Sequence, residues 1–510
     1  MKTNRWRPPL SMLYNRRMTG TGKSLVSAGA CIAVGMVAGR AIGLLRETMI
    51  AARFGTGSEA SIAIALLIIP DFIASALIAG SAAATLIPAF SSRHDDEAAS
   101  LLWQALLSSA AFFSIIALAL ATQEDALSHL FSGTSISGDG HAFYLVFATL
   151  PLTASTWVIT AWLQYRRRFL APAFANAIFN VVVVLTLWLA PLGLTVLACG
   201  IVAASILRLL AHLIAFFRSG GHVPPSPFSP WQLRRRLFAG YAATTGTGIA
   251  GMLPQYAPYA VMAAAGGIAI FNYAFKLVML PGMLLQTIVQ MVLLPWFVSI
   301  RENHHESRNR IYAAALQTGW ILSFCLCLAL SLAAHPLSML CFGYGRMTPE
   351  NIHAVGMAFA VGVWAVPGMV LTMLWQQILY AHEHTTTPLM ASLLQSLLIL
   401  PLCWLGQRLA GTPGALLGFA VIQTLPVFLL ARQGVKRGMV VQLLPGRTTL
   451  MMTAASLVVF LAMAAPLQVW MQQPLAAAAL TGLTGMAALA AGIAVNPPVR
   501  RWAMEQVKRA

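Results

Sequence analysis

Long apolar segments run through nearly the whole chain and are separated by short polar or basic stretches. A bilayer core of about 30 Å is crossed by a helix of about 20 apolar residues. Segments of that length, ended at charges, prolines and glycines, predict fourteen transmembrane helices. Their predicted ranges are 24–50, 61–90, 98–121, 142–164, 170–190, 195–217, 237–264, 268–298, 312–332, 353–380, 388–406, 411–431, 449–470 and 474–495.

Composition agrees with this pattern and excludes a water-soluble globule. Of the 510 residues, 58% are hydrophobic and 9% are charged, whereas soluble domains carry about 25% charged residues. The net charge of +18 would suggest a nucleic-acid partner on a soluble protein. Most of the basic residues flank apolar segments instead, so the sequence predicts a multi-pass membrane protein that binds no nucleic acid.

The distribution of Lys and Arg predicts the orientation in the membrane. If the N-terminus is cytoplasmic, the cytoplasmic tails and loops hold twenty-five of these residues, and the opposite side holds only Arg53, Arg346 and Arg408. Basic residues accumulate on the cytoplasmic side of membrane proteins. We therefore predict that both termini are cytoplasmic.

Predicted helices one and two resemble predicted helices seven and eight. Pro70 lies at the middle of the second helix and Pro281 at the middle of the eighth, and both helices end in an aliphatic residue followed by proline. Six helices separate the copies, so both insert with the same orientation, as in transporters built from parallel repeats. The sequence therefore predicts an all-α membrane fold of two six-helix bundles in a parallel pseudo-repeat plus two C-terminal helices.

The same pattern divides the chain into seven parts. They are a basic cytoplasmic tail (1–23), the N-terminal bundle (24–217), a cytoplasmic linker (218–236), the C-terminal bundle (237–431), a cytoplasmic loop (432–448), helices thirteen and fourteen (449–495) and a second cytoplasmic tail (496–510).

Four basic residues fall inside predicted helices: Arg40, Arg46, Arg208 and Lys276. A charge at the centre of a bilayer costs about 2.5–3.5 kcal/mol on insertion scales, so it usually faces a cavity or a partner. Arg40 and Lys276 come from different bundles and are predicted to face a shared cleft. With Asp71 as the one intramembrane acid that we expect, this cleft would be positive and would suit a diphosphate.

Other interpretations of these residues stay open. Arg46 can pair with Glu47 or reach the outer interface. Arg208 can extend to the cytoplasmic interface or donate hydrogen bonds inside its bundle. Asp71 follows Pro70 and can satisfy backbone groups that the proline frees. We expect Asp71, Gly43, Pro70 and Pro281 to line the cavity or to form hinges. No pattern of residues predicts a catalytic or a metal site.

The first helix resembles the opening of the MurJ/MviN family. The similar segment is Gly39-Arg40-Ala41-Ile42-Gly43-Leu44-Leu45-Arg46-Glu47, followed by Ala52-Arg53-Phe54-Gly55-Thr56-Gly57. Further similar motifs are Pro70-Asp71, Ile87-Pro88, Phe342-Gly343-Tyr344-Gly345-Arg346 and Thr387-Pro388. Members of this family are lipid II flippases of the MOP exporter superfamily, with fourteen helices in two bundles and an extra pair.

The resemblance implies a flippase that moves an undecaprenyl-pyrophosphate-linked saccharide across the bacterial inner membrane, in association with the synthesis of cell wall or polysaccharide. It implies no cofactor, with coupling to the membrane potential, H⁺ or Na⁺. It also implies that Arg40 and Arg46 line the cavity and that Lys276 stands in for an arginine of helix eight. We therefore expect Arg40, Arg46 and Lys276 to hold the diphosphate in the inward-open state.

The chain departs from the family at several charged positions. It has uncharged residues where the family typically has acids or bases, at Ser61, Ile68, Ala74, Ser75, Ala79 and Phe275. With fewer charges available for the headgroup, the substrate is either lipid II or another lipid-linked oligosaccharide, for example an exopolysaccharide repeat unit.

Two other functions compete with this one. A drug or cation antiporter of the same superfamily would need acids in its cavity, and a membrane glycan ligase or polymerase would need a large outer loop. The longest non-cytoplasmic loops, 122–141 and 333–352, have only about twenty residues, too few for a folded catalytic domain. The sequence therefore favours a transporter over an enzyme.

Overall fold

The computed structural model describes residues 22–123, 126, 141–228, 230–233, 235–288, 293, 297, 298, 300, 305–439, 447–464 and 474–495. These residues form long helices joined by short turns. The helices are α1 (Gly22–Phe54), α2 (Ser58–Ser91), α3 (Asp95–Ala121), α4 (His141–Tyr165), α5 (Leu170–Leu189), α6 (Leu194–Arg218), α7 (Arg235–Ala264), α8 (Ile268–Ile288), α9 (His305–Leu332), α10 (Pro349–Ala381), α11 (386–409), α12 (412–436), α13 (Arg447–Ala464) and α14 (Pro474–Val495).

Each of the fourteen predicted spans coincides with one of these helices. Helices α11 and α12 are continuous in hydrogen bonding over Thr386–Lys436, but the chain bends sharply at Ala410 and Gly411, where Gly411 has a φ of 62°. Within the described residues, ten helices are long and apolar enough to cross a membrane, with α11 and α12 taken as one. The all-helical architecture confirms the predicted fold class.

Several sequence predictions lie outside the described residues. They include residues 1–21 of the first tail, the whole second tail, most of the loop 122–141 and the Leu294-Pro295 end of the repeat in helix eight. A short helix, Ala334–Phe342, occupies part of the loop 333–352.

The internal repeat is visible in the backbone turns. Left-handed residues end α1 at Gly55 and α7 at Gly266, with φ values of 71° and 70°. The α4–α5 turn contains Arg167 at 58°, and the α10–α11 turn contains Glu383 at 62°. Residues other than glycine adopt positive φ values only rarely. The recurrence of such values at corresponding turns therefore supports a common helix arrangement in the two bundles.

Helix α1 packs closely on α5 through glycines on one face. A Cβ atom at Gly35 would lie 2.6 Å from the Ala173 carbonyl oxygen, and one at Gly43 would lie 3.1 Å from Nδ2 of Asn180. Small residues at four-residue spacing let membrane helices approach closely and associate through van der Waals contact. This packing holds α1 in place and so positions Arg40 and Arg46.

Part of the predicted linker is packed against the N-terminal bundle. Gln104 of α3 is completely buried. Its Nε2 donates to the carbonyl oxygens of Pro227 at 2.9 Å and Pro230 at 3.1 Å, and its Oε1 accepts from the Gln232 backbone at 2.6 Å. Proline-rich backbone has few donors of its own, so the hydrogen bonds of this amide side chain help to hold the segment in place.

The last two helices pack on the C-terminal bundle. Trp320 of α9 donates to Thr453 of α13 at 3.0 Å, and Ser456 of α13 donates to the Ala488 carbonyl of α14 at 2.8 Å. Gly485 of α14 lies against Ala329 of α9. Helices α13 and α14 are therefore an addition to one bundle.

The glycine contact between α1 and α5 leads to a prediction. We expect Gly35→Ala to lower the free energy of unfolding by about 1–3 kcal/mol, because overpacking forces the helices apart. Thermal denaturation of the purified protein measures this. Gly251→Ala is the control, since a Cβ atom there meets nothing within 4 Å. Equal stability of the two variants would contradict the packing.

Candidate functional site

A buried ion pair lies near the end of α1. Nη2 of Arg46 is 2.6 Å from Oε1 of Glu47, whose side chain is 3% exposed. Nη1 of Arg46 donates to Oδ1 of Asn180 on α5 at 2.9 Å, and Nδ2 of Asn180 donates to the Gly39 carbonyl oxygen at 2.9 Å. A buried charge is tolerated when it is paired and hydrogen-bonded. The arginine and its acid therefore form one unit with α5.

This network continues into the C-terminal bundle. Oε2 of Glu47 accepts from Nδ2 of Asn272 on α8 at 2.8 Å, and Oδ1 of Asn272 accepts from the Tyr259 hydroxyl on α7 at 2.9 Å. The positive charge of Lys276 also acts on the Glu47 carboxylate. Glu47 thus hydrogen-bonds to residues of both bundles, and a positive charge from each bundle acts on its carboxylate.

The expectation that Asp71 is the one intramembrane acid is wrong, because Glu47 is buried inside α1. Its position next to Arg46, within an apolar segment, was the available signal. An acid beside a base on a membrane helix is neutralised locally, so it does not disturb the apolar pattern by which spans are found. The sequence did not reveal Asn272 or Asn180, since uncharged amides do not stand out in an apolar helix.

Further contacts join the bundles beyond the end of α1. The Tyr273 hydroxyl donates to the Gly55 carbonyl oxygen at 2.8 Å, and the Arg346 backbone donates to the Ala52 carbonyl oxygen at 2.9 Å. Nη1 of Arg346 lies 3.2 Å from Oε2 of Glu59, in an exposed ion pair. Together with Glu47, these contacts close the bundles against each other at this end.

Helix α2 is irregular at its centre. Pro70 lies inside the helix, and a π-helical turn follows at Ser75–Ala79. Proline removes a backbone donor and bends a helix, and π-turns frequently mark functional sites. The Tyr241 hydroxyl of α7 donates to the Leu77 carbonyl oxygen in this turn at 2.6 Å. The bundles are therefore in contact on this side of Asp71 as well.

Asp71 lies between these two sets of contacts. Its Oδ2 accepts from the Tyr256 hydroxyl of α7 at 2.5 Å, although the aspartate itself is exposed. The rings of Phe72 and Tyr256 are 5.1 Å apart. Arg208 of α6, whose charge acts on Asp71, donates to Thr153 at 2.8 Å and stacks over Phe179. Arg208 is therefore a hydrogen-bond donor within its bundle.

The remaining predicted site residues lie on two helices, α1 and α8. Arg40 is half-buried in the middle of α1, and Gly43 faces Asn180 on α5. Lys276 is half-buried on α8, and Pro281 lies one turn further along that helix. Arg46 pairs with Glu47, and the positive charge of Lys276 acts on the same carboxylate. The binding role of Arg40, Arg46 and Lys276, and the hinge role of the prolines, stay predictions.

The family model and the similar proteins that match this chain carry the same description. The model of the family described as lipid II flippase MurJ matches residues 50–485. The chain is 25% identical over 380 residues to the lipid II flippase MurJ of Burkholderia cenocepacia, covering 68% of this chain and 72% of that protein. It is also 25% identical over 389 residues to a probable lipid II flippase MurJ of Rhizobium tropici, covering 72% of each.

Solved structures show the same fold. A lipid II flippase MurJ in an inward closed conformation superposes with a TM-score of 0.72 at 16% identity, covering 89% of this chain and 97% of that one. An inward-facing multidrug resistance MATE family transporter of the MOP superfamily gives 0.65 at 12% identity, covering 78% and 94%. Two kinds of transporter therefore share this architecture.

The position of Glu47 leads to a second prediction. We expect Glu47→Ala to lower the free energy of unfolding by about 3–5 kcal/mol, because it leaves Arg46 buried without its carboxylate. Thermal denaturation of the purified protein measures the loss.

Glu59→Ala provides the matched control. It also removes an acid that pairs across the bundles, but this pair is exposed and we expect a loss of at most about 1 kcal/mol. Equal losses for the two variants would show that burial of the Glu47 pair has no special importance.

Proposed function

The chain belongs to the lipid II flippase MurJ family, and on that basis we propose that it moves a polyprenyl-diphosphate-linked saccharide across a membrane by alternating access. It is a multi-pass membrane transporter and not an enzyme. The observation that carries the proposal is that Arg46 of one bundle pairs with the buried Glu47 carboxylate, on which the positive charge of Lys276 from the other bundle also acts. The substrate is lipid II or a related lipid-linked oligosaccharide.

The diphosphate is the part of this substrate that the cations would bind. Arginine binds phosphate through two parallel hydrogen bonds, and lysine binds it as a compact positive charge. In the proposal, Arg40, Arg46 and Lys276 supply these groups. The positive charges of Arg46 and Lys276 also stabilise the Glu47 carboxylate. A diphosphate that binds these two residues therefore competes with Glu47 and weakens the contact of Glu47 with the other bundle.

In the proposed rocking movement, the contacts between the bundles break at one end while those at the other end are kept. Opening at the Glu47 end requires loss of the bonds to Asn272, Gly55 and Ala52, and opening at the other end requires separation of α7 from the π-turn of α2. We propose 24–217 and 237–431 as the moving bundles. Pro70, Pro281 and Gly43 are proposed as the places where the helices bend.

The orientation is proposed from the distribution of charge. Twenty-five Lys and Arg residues lie on the side of both termini and three lie opposite, which favours cytoplasmic termini in a bacterial inner membrane. The Glu47 end of the bundles would then face outward. The transport cycle needs no cofactor in this proposal, because the membrane potential or a gradient of H⁺ or Na⁺ can supply the energy. Enzymes of cell-wall or polysaccharide synthesis are the proposed partners.

A drug or cation antiporter is the main competing function. Within the predicted spans there are four basic residues and two acids, Glu47 and Asp71. Glu47 is already engaged with Arg46 and Asn272. This balance favours an anionic cargo over a cationic one.

The cations give a third prediction. We expect Arg40→Ala and Lys276→Ala each to lower the rate of lipid flipping in reconstituted vesicles by roughly tenfold, the effect of losing about 1.4 kcal/mol of interaction. Arg408→Ala is the control, since this exposed arginine stacks on Trp404 away from the bundle contacts. Variants that insert normally and keep full flipping would remove Arg40 and Lys276 from the mechanism.

The cargo itself gives a fourth prediction. We expect the purified protein to carry a polyprenyl-diphosphate lipid that mass spectrometry detects, because the cations bind its headgroup. Arg40→Ala/Lys276→Ala protein should carry less of it. Purification with a bound cationic drug and no such lipid would favour the antiporter instead.

A further inference from the structure

Asp71 is an acid in a place where membrane helices rarely have one. It lies in the middle of α2, and its side chain is exposed in a helix that is otherwise largely buried. A carboxylate at this depth is costly when it faces lipid, so it normally faces a cavity or a partner. The partner of Asp71 is Tyr256, which belongs to α7 of the other bundle. Asp71 therefore faces the space between the bundles.

Among the described residues, only one of the two carboxylate oxygens of Asp71 accepts a hydrogen bond. Oδ2 accepts from the Tyr256 hydroxyl at 2.5 Å, a length typical of a hydroxyl that donates to an ionised carboxylate. Within the described part of the chain, no hydrogen bond to Oδ1 is found. Because Asp71 is exposed, this oxygen is available to a donor that enters the space between the bundles.

The surroundings favour a neutral donor over a cationic one. The charged and titratable groups that act on Asp71 are Arg208 of α6 and the hydroxyls of Tyr256 and Tyr259 on α7. The positive charge of Arg208 already acts on the carboxylate, and Arg46 and Lys276 add further positive charge on α1 and α8. A further cation would be repelled, whereas a hydroxyl group would not.

Aromatic surface lies beside the open oxygen. The rings of Phe72 and Tyr256 are 5.1 Å apart, and both residues are partly exposed. An aromatic face covers the apolar C–H surface of a ring-shaped ligand, and a few placed polar groups fix its orientation. A carboxylate next to aromatic rings therefore suits a sugar, which presents hydroxyl groups at its edge and C–H groups on its face.

We propose that Asp71, Phe72 and Tyr256 form a sugar subsite of the transport path, separate from the cations that hold the diphosphate. Oδ1 of Asp71 accepts hydrogen bonds from hydroxyls of the saccharide, and the aromatic pair contacts its apolar face. This inference rests on the proposed function, since it concerns the saccharide of the same lipid-linked substrate. The subsite makes the binding strength depend on the glycan as well as on the lipid diphosphate.

The test compares two lipids that differ only in the sugar. Equilibrium binding of undecaprenyl diphosphate and of undecaprenyl-diphosphate-N-acetylglucosamine is measured on the purified full chain. For Asp71→Ala we expect roughly tenfold weaker binding of the glycosylated lipid, or about 1.4 kcal/mol, and unchanged binding of the other. Asp71→Asn keeps the volume and one acceptor oxygen, so it should give an intermediate loss and covers the case in which Asp71→Ala fails to fold.

Glu59→Ala is the matched control. It removes the other acid of α2 that contacts the second bundle, and we expect both lipids to bind as they do to the unchanged protein. Equal losses of both lipids in Asp71→Ala would mean that Asp71 only holds the bundles together, and no loss would mean that it does not contact the cargo. Either result overturns the subsite.

A third probe separates the sugar from other parts of the headgroup. Lipid II carries a peptide with an ammonium group in addition to its sugars. A loss with lipid II and none with the monosaccharide lipid would assign Asp71 to a part of the headgroup other than the sugar next to the diphosphate, and would overturn the subsite for that sugar. If the unchanged protein binds none of the three lipids, the proposed function itself fails, which is a different result from a selective failure at Asp71.

Discussion

The contact between the two bundles depends on the burial of a single carboxylate, that of Glu47. Glu47 lies inside the protein, and an ionised acid there is stable only when cations and hydrogen-bond donors surround it. Arg46 supplies the adjacent charge, Asn272 supplies a donor from the other bundle, and Lys276 adds a second positive charge. Because these partners come from both bundles, satisfying one acid also holds the bundles together. The same arrangement brings positive charge from both bundles to one carboxylate.

Asp71 contrasts with Glu47 although both are acids on membrane helices of the same bundle. Glu47 is enclosed and makes hydrogen bonds through both of its oxygens, whereas Asp71 is exposed and bonded to Tyr256 through one oxygen. A fully satisfied acid is a structural contact that must be released for movement. A partly satisfied acid retains capacity for a ligand. The two acids therefore differ: Glu47 joins the bundles, and Asp71 is the acid that we propose to contact the cargo.

The irregular features of the helices concentrate in the same region. Helix α2 has Pro70 directly before Asp71 and a π-helical turn that itself contacts α7, and α8 has Pro281 one turn after Lys276. Regular helices transmit rigid movement, while prolines and π-turns allow local bending. In contrast, α1 is tied to α5 by closely packed glycines and by Asn180. The residues proposed to bind the diphosphate thus lie on a firmly held helix and face helices that are easier to bend.

The sequence by itself determined the membrane class, the fourteen helices, the parallel repeat and the residues of interest on α1, α2 and α8. These follow from local properties, namely the length of apolar segments, the position of charges and the spacing of prolines, which need no knowledge of neighbours in space. The pairing of Arg46 with Glu47 was one of two alternatives until the fold decided it. Only the tertiary structure brought Asn272, Asn180 and Tyr256 to these charges, because hydrogen bonds between distant helices leave no periodic pattern in the chain. For the same reason the structure alone distinguished the enclosed acid from the exposed one, since burial depends on the packing of both bundles.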